Sequence, residues 1–332
     1  MRSLLRLDPR HGSGSSVEVE LRALLVGGAL DLPRPGGGGT PRRWAALAEW
    51  GGHDLALARL AEGHTDAAAI LADAGREPAA GALYGVWAAR SGGAGAGLYL
   101  CGDDLVLTGT VRFCSGARWL DRALVVADPI GGGSTGRLLV DVAVAHRGIR
   151  PQSDTWQTPA MDAAGTLDVE FDGVPLPSDA VLGGPDWYTA RPGFAIGGGG
   201  VAAVWWGGAA GLLHRALGHL PTVPDAHQLA HLGELHALLE GADALLGRTA
   251  VAVDAAPDAD HGLALAALRS AVERVCREVV DRVPRMVGPA ALSRDAALAR
   301  TLADLQLYVR QHHGERDHAA LGAQLLAARR AP

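Results

Sequence analysis

The chain has 332 residues, 48% apolar and 20% charged, a formal net charge of −6, and neither lysine nor asparagine, so all 30 basic residues are arginine. Without lysine there is no Schiff-base amine and no Walker A cation, which excludes pyridoxal-phosphate enzymes, lysine aldolases and P-loop NTPases. The acidic balance leaves no basic footprint for nucleic acid. The apolar runs stop well short of the roughly 20 residues of a membrane span, and the start MRSLLRLDPR lacks a signal peptide's apolar stretch. Three cysteines, Cys101, Cys114 and Cys276, show no CxxC spacing and suit a reducing compartment. The expectation is a cytoplasmic protein with no nucleic-acid or membrane partner.

Residues 1–32 hold short apolar stretches, and PRPGGGGTP (33–41) reads as a loop or linker. From Pro41 to Ala74 apolar residues recur every three or four positions (Trp44, Leu47, Ala48, then Leu55, Ala58, Leu60, Ala67, Ile70, Leu71), which predicts helix as far as Gly75 and Pro78. Between Leu83 and Val181 the period changes. LYGVWAA, GLYLCG, DLVLTGTVRF, RALVVAD, RLLVDVAV and TLDVEFDGV are short, β-branched or alternating, and bounded by Gly, Asp or Pro. Leu167, Val169 and Phe171 alternate with Asp168, Glu170 and Asp172, which describes a half-buried strand. No helical pattern separates these strands, so a parallel βαβ sheet is disfavoured and a barrel or sandwich expected. GFAIGGGG (193–200) reads as a break, after which four amphipathic segments at about 201–220, 226–254, 260–284 and 295–312 predict a four-helix bundle. The expected organisation is an N-terminal helical domain (1–82), a middle antiparallel β-barrel (83–192) and a C-terminal helical bundle (193–332), an α+β multidomain chain.

Several local constellations invite chemistry. His227 and His231 share a helix face and could begin a metal site, but no third ligand can be named, and a solvated face is the simpler reading. SGGAGAG (91–97) is not a GxGxxG fingerprint and reads as a loop. Gly12-Ser13-Gly14 lacks the strand and helix of a hydrolase elbow. Gly109 to Ala117, GTVRFCSGA, ends a strand in an aromatic, a cysteine and a serine, which suits either a flat ligand or a plain turn. Gln311-His312-His313-Gly314-Glu315-Arg316-Asp317 closes the last bundle helix, offering either acid–base groups or ordinary capping.

In this order the pieces resemble the acyl-CoA dehydrogenase superfamily, over about residues 44–330. LTGTVRFCSGARWLDRALVVAD (107–128) is similar to the family's strand pair "L-x-G-x-K-x-F/W-x-S/T", and TWQTPAMDAAGTLDVEFDGVPLPSDAVLG (155–183) to its "G-M-R-x-T-x-S-x-D-V-x-F" segment. RLAEGHTDAAAIL (59–71) and LYGVWAA (83–89) resemble one bacterial branch, and ADLQLYVRQ (303–311) resembles its "R-D-L-x-x-Y-x-R-Q". The resemblance implies FAD between the three domains and a homodimer or homotetramer. It implies Phe113 and Ser115 at the flavin ring, backbone contacts from Cys114, and Trp87 where the first flavin-facing loop begins.

Other family features are missing. "T-E-P-x-x-G-S-D" is replaced by AARSGGAGAG, the Arg and Thr after "GM" become Asp162 and Ala164, and LPTVPDAHQLAHL (220–232) stands in place of "R-x-x-F-G". "Q-x-x-G-G-x-G" is reduced to RMVGPAA (285–291), which leaves Arg285 and backbone N–H groups as candidates for the pyrophosphate. The family's catalytic Glu stands eight residues after the Asp of "R-D"; eight from Asp304 is His312, the candidate base. The lysine of "G-x-K-x-F/W" is Val111, which a coding bias toward arginine does not explain.

The resemblance therefore implies α,β-dehydrogenation of an acyl thioester, CoA- or carrier-bound, with electron-transfer flavoprotein or oxygen as acceptor. Two alternatives stay open. One is a flavin monooxygenase or oxidase of the same superfamily, in which a His of this helix region serves oxygen chemistry. The other is a catalytically degenerate partner subunit, with Trp205, Trp206 and Gly207-Gly208 at an interface or, more simply, in the core.

Overall fold

Three helices precede the first strand: α1 (Val17–Val26), α2 (Thr40–His53) and α3 (Leu55–Asp73). In this computed structural model residues 17–101, 104–131 and 135–330 are described, so Gly12-Ser13-Gly14 lies outside the described residues. α2 opens with Pro41 in its first turn, where a missing N–H costs nothing. Asp54 then ends α2 and caps α3, its Oδ1 accepting from the N–H groups of Ala56 and Leu57 at 2.8 and 2.9 Å. The helical stretch expected over 41–74 is thus two helices joined at one residue.

The strands are β1 (Tyr84–Trp87), β2 (Ala96–Cys101), β3 (Asp104–Cys114), β4 (Arg122–Ile130), β5 (Leu138–Ala143), β6 (Ile149–Gln152), β7 (Leu167–Leu176) and β8 (Val181–Leu182). They form one sheet in the order β6-β7-β3-β2-β4-β5-β8, with β1 also on β4. Most neighbours are antiparallel. The exceptions are β1 and β2, which both run parallel to β4 and occupy its residues 122–125 and 127–130 in turn. The loop 88–95 that joins β1 to β2 carries the glycines of SGGAGAG and leads into a strand, not a helix. Sequence spacing is blind to such a step along one edge, because parallel and antiparallel partners bury the same side chains.

β7 alternates as its sequence predicts: Leu167, Val169 and Phe171 are buried in the sheet core, and Asp168, Glu170 and Asp172 are not. Two bulges interrupt its pairing with β3. At one, Asp172 and Gly173 oppose Thr108, with Gly173 left-handed (φ 61°). At the other, Arg112 and Phe113 oppose Asp168, and Phe113 itself is left-handed (φ 58°).

After a short α4 (Trp187–Ala190) come α5 (Pro192–Leu217), α6 (Ala226–Ala255), α7 (Gly262–Arg294), α8 (Ala296–Tyr308) and α9 (Glu315–Arg330). α5 to α8 are the four expected bundle helices, and α7 bends at Gly288 (φ 73°). GFAIGGGG is not a break but the first turns of α5. Its helix needs small residues because α2 crosses it closely: a Cβ at Gly207 would lie on the Ala48 carbonyl, and one at Gly211 on that of Gly52. Gly51 of α2 returns the fit against the carbonyl of Val204. Burial against these partners outweighs glycine's poor helix propensity. By length and composition α5 is apolar enough to cross a membrane, which corrects the sequence expectation, but 83% of its apolar window is buried within the protein. Trp205 and Trp206 belong to this core, and Trp206 Nε1 donates to the Leu239 carbonyl at 3.0 Å.

Candidate functional site

Where the sheet meets the bundle there is a cavity of about 670 Å³. The sheet side contributes Ala89, Phe113, Ser115, Trp156, Met161 and Thr166. The helices contribute Arg59 from α3, Phe194 from α5, Arg269 from α7, and Leu307, Tyr308, Arg310, Gln311 and His313 at the end of α8. A neighbouring groove of about 830 Å³ shares Leu307 and Arg310 with it and adds Thr158, Arg277, Glu278 and Asp281, among others.

Local backbone geometry aims these groups. The second bulge of β3 throws the Phe113 ring outward, leaving it 51% exposed at the cavity, while Cys114 returns to the core. Asp168 holds the bulge by accepting from the Phe113 N–H at 3.2 Å. Thr166 Oγ1 donates to Ser115 Oγ at 3.1 Å, so two hydroxyls face the cavity as a pair. The loop carrying Trp156 and Met161 is strapped to the bundle. Met161 is left-handed (φ 57°), and its N–H donates to Asp304 of α8. Burial raises the Asp304 carboxyl to about 6, against the stabilising pull of that hydrogen bond.

The residues singled out in sequence separate into two groups. Phe113 and Ser115 line the cavity. Trp87 and Cys114 lie behind it: Trp87 Nε1 donates to the Ser115 carbonyl at 3.0 Å, and burial pushes the Cys114 thiol well above its ordinary value. Arg285 is not at the cavity; it is exposed on α7 and pairs with Asp281 at 2.9 Å. His312 is 3% exposed and does not line the cavity. Its Nδ1 accepts from the Gly314 N–H at 3.2 Å and its Nε2 lies 3.1 Å from Ser270 Oγ, while burial lowers its pKa. The next residue, His313, is the imidazole at the cavity, 3.7 Å from Asp317. Helical register explains the exchange. α8 gives way to a 3-10 turn at Val309–Gln311, so the eight-residue offset from Asp304 runs past the α-helix and does not fix which of the two histidines faces the cavity.

Arg59 and Tyr308 lie in segments already matched to the family (59–71 and 303–311) but were given no role there, and Arg269 sits on an apolar helix face outside any motif. A signal was present in α3, where Arg59, Glu62 and Asp66 interrupt an otherwise apolar face at helical spacing. Arg59 pairs with Glu62, whose carboxyl burial raises, and Asp66 pairs with the buried Arg43 at 2.6 Å. Among the described residues one three-member group has metal-ligand geometry: Glu273, His312 and His318, with ligand atoms within 4.8 Å of one another. Two of its three members are already engaged, Glu273 by Arg277 and Arg310 at 2.8 and 3.1 Å, and His312 as above. His227 and His231 stand in the first turns of α6 without a third ligand among the described residues.

No sequence-family model matches the chain, and no curated protein sequence matches it. Solved structures do. The dibenzothiophene monooxygenase TdsC from Paenibacillus sp. A11-2, in complex with FMN and indole, superposes with a TM-score of 0.82 at 20% identity, over 95% of this chain and 91% of that one. The chain has the acyl-CoA dehydrogenase fold. Two further proteins of this fold match: the methanesulfinate monooxygenase MsuC from Pseudomonas fluorescens (TM-score 0.78, 18% identity, 99% and 98% covered) and a nitrososynthase from Micromonospora carbonacea var. africana (0.78, 20%, 92% and 89%). TdsC and MsuC are monooxygenases, and TdsC is solved with FMN bound.

Proposed function

We propose that this chain is a flavin-dependent monooxygenase that oxidises a small substrate with reduced FMN and oxygen. The observation that carries the reading is the cavity lining: aromatic and aliphatic walls, a hydroxyl pair, an imidazole, three arginines and no carboxylate. Taking an α-proton from an acyl thioester requires a well-placed base, and among the described residues no Asp or Glu lines the cavity to do so. α,β-Dehydrogenation with FAD is therefore the weaker reading. The FMN complexes among the structural neighbours support FMN over FAD.

The residues present fit a flavin ring. Phe113, Trp156 and the Ser115–Thr166 hydroxyls would hold it, and Arg310 and Arg277 in the adjoining groove would meet its phosphate. When bound and reduced, the flavin supplies the two electrons that place one oxygen atom in product and the other in water. Met161, Phe194 and Leu307 keep the cavity apolar and limit water. His313, at the mouth, exchanges protons between cavity and solvent, a role the buried His312 is less suited to fill.

The test is a titration of the purified chain with FMN and with FAD, read by flavin fluorescence. It is followed by oxygen uptake under a supply of reduced FMN, with indole as the first substrate tried. FMN binding and a product carrying one atom of labelled dioxygen are expected. His313→Ala should lower substrate-dependent oxygen uptake by about 100-fold or more, and His312→Ala by much less. Failure to bind any flavin, or anaerobic oxidation of an acyl-CoA with an artificial acceptor, would refute the reading.

A further inference from the structure

The cavity holds a cation with no direct ion-pair partner and a hydroxyl with no acceptor among the described residues; Asp317 and Glu62 act on the cation only from a distance. Arg269 reaches it from α7. Its Nη1 donates to the Gly198 carbonyl at 2.6 Å, and its guanidinium lies 4.8 Å from the centre of the Trp205 ring. The other two cavity arginines have carboxylate partners, Arg59 in Glu62 and Arg310 in Glu273. Among the described residues Arg269 has none, its only hydrogen bond being the one to Gly198. Tyr308 packs edge-on against the same Trp205 ring at 6.3 Å. It is 4% exposed, and its hydroxyl, buried at the cavity wall, has no hydrogen-bond partner.

Both groups thus rest on one indole and line one cavity. A buried donor without an acceptor, next to a cation with no direct ion pair, is costly in the empty protein. The cost is relieved by a ligand that brings an anionic acceptor. Of the lining not assigned to the flavin, Phe194, with Met161 and Leu307, favours a flat, unsaturated body. The charged groups around the site are the Arg59–Glu62 pair, the Arg310–Glu273 pair and His313 with Asp317. None of these carboxylates lines the cavity, so the field there favours a negative ligand.

We propose that Arg269 and Tyr308 form the receiving site for a substrate oxyanion, the ionised enol or phenol oxygen of a flat conjugated molecule. This deepens the monooxygenase reading and rests on it for the word substrate. On binding, the ring O–H bond breaks, its electron pair stays on oxygen, and the proton leaves to solvent by way of His313. Tyr308 donates its O–H to that oxygen, and Arg269 supplies the opposite charge. Ionisation enriches the ring in electrons, which favours transfer of an electrophilic oxygen atom to it.

The experiment uses the purified full-length chain without added flavin and 4-nitrophenol as probe, because its ionised form is yellow and its neutral form is not. The bound probe is expected to be the phenolate, with an apparent pKa at least one unit below that of the free probe. Arg269→Gln and Tyr308→Phe should each weaken phenolate binding at least tenfold and leave the neutral methyl ether, 4-nitroanisole, bound within twofold. Arg269→Gln should also raise the melting temperature of the ligand-free protein, since it removes an unpaired cation, whereas an arginine with a purely structural role would lower it. Binding of the neutral phenol, or unchanged phenolate binding in Arg269→Gln, would overturn the proposal. Protein preloaded with FMN should still take the probe. Displacement of the probe by FMN would assign the pair to the flavin and overturn the substrate site. Absence of flavin binding would instead count against the monooxygenase reading and leave the phenolate titration standing.

Discussion

Asp304 does two jobs with one carboxyl, and two substitutions separate them. It accepts the N–H of Met161, a left-handed residue in the loop that carries Trp156 into the cavity, and it does so as a buried acid. The gap between about 6 in the folded protein and the ordinary 3.8 converts to about 3 kcal/mol at about 1.36 kcal/mol per pH unit. Partial solvent contact reduces this to roughly 1–2 kcal/mol. The folded carboxyl keeps its proton to higher pH than the unfolded one, so folding takes up a proton between about pH 3.8 and 6. Stability from this group is therefore full below about pH 3.8, falls as pH rises, and is lost above about pH 6. Asp304→Asn keeps an oxygen for the Met161 N–H and cannot ionise. It should match wild type near pH 4 and exceed it by roughly 1–2 kcal/mol at pH 8. Asp304→Ala strands the N–H and should cost about 1–3 kcal/mol at both. Urea unfolding followed by circular dichroism at the two pH values measures all three proteins. A constant difference between wild type and Asp304→Asn across pH would refute the desolvation argument, and equal stability of the Ala and Asn variants would refute the strap.

Three further outcomes are expected. His64 is buried, its Nδ1 accepts the Tyr84 N–H at 3.1 Å, and burial lowers its pKa to about 4. The unfolded chain binds the proton first, so stability falls as pH drops from about 6.5 to 4, by up to about 3 kcal/mol; the stability difference between wild type and His64→Gln should shrink over that window in the same urea assay. Gly207→Ala sets a Cβ on the Ala48 carbonyl where α2 crosses α5, and calorimetry should show a loss of about 1–3 kcal/mol; a melt like that of wild type would mean that the crossing is looser than described. Phe113→Gly relieves a left-handed side chain and should leave stability unchanged or raised by up to ~1 kcal/mol. Fluorescence titration of the same variant should show FMN affinity reduced at least tenfold, and undiminished affinity would remove Phe113 from the flavin site.

Sequence alone determined whatever depends on local periodicity. The helices of 40–73, the alternation of β7 and the four bundle helices follow from which residues are apolar and how often they recur. The order of those blocks was enough to point to the fold. Local pattern failed where a distant partner overruled it. The glycines of 193–200 look like a break, yet they are helical: Gly199 and Gly200 pack under Trp44 and Leu47 of α2, and Gly197 and Gly198 beside Asp66 and Arg269. A short segment such as IRPQ, with its proline, carries no strand pattern of its own and becomes β6 by pairing with β7.

At the site, Phe113 and Ser115 were legible because one strand and its bulge deliver them together. His312 was chosen by the family's eight-residue offset from Asp304; in the fold it is buried beside Ser270, and its neighbour His313 lines the cavity. Arg59, Arg269 and Tyr308 come from three different helices and meet only when the bundle closes on the sheet. A polar residue on an apolar helix face looks the same in sequence whether its partner is another side chain or an empty cavity. Which of the two it meets depends on contacts between residues far apart in the chain, and those exist only in the folded protein.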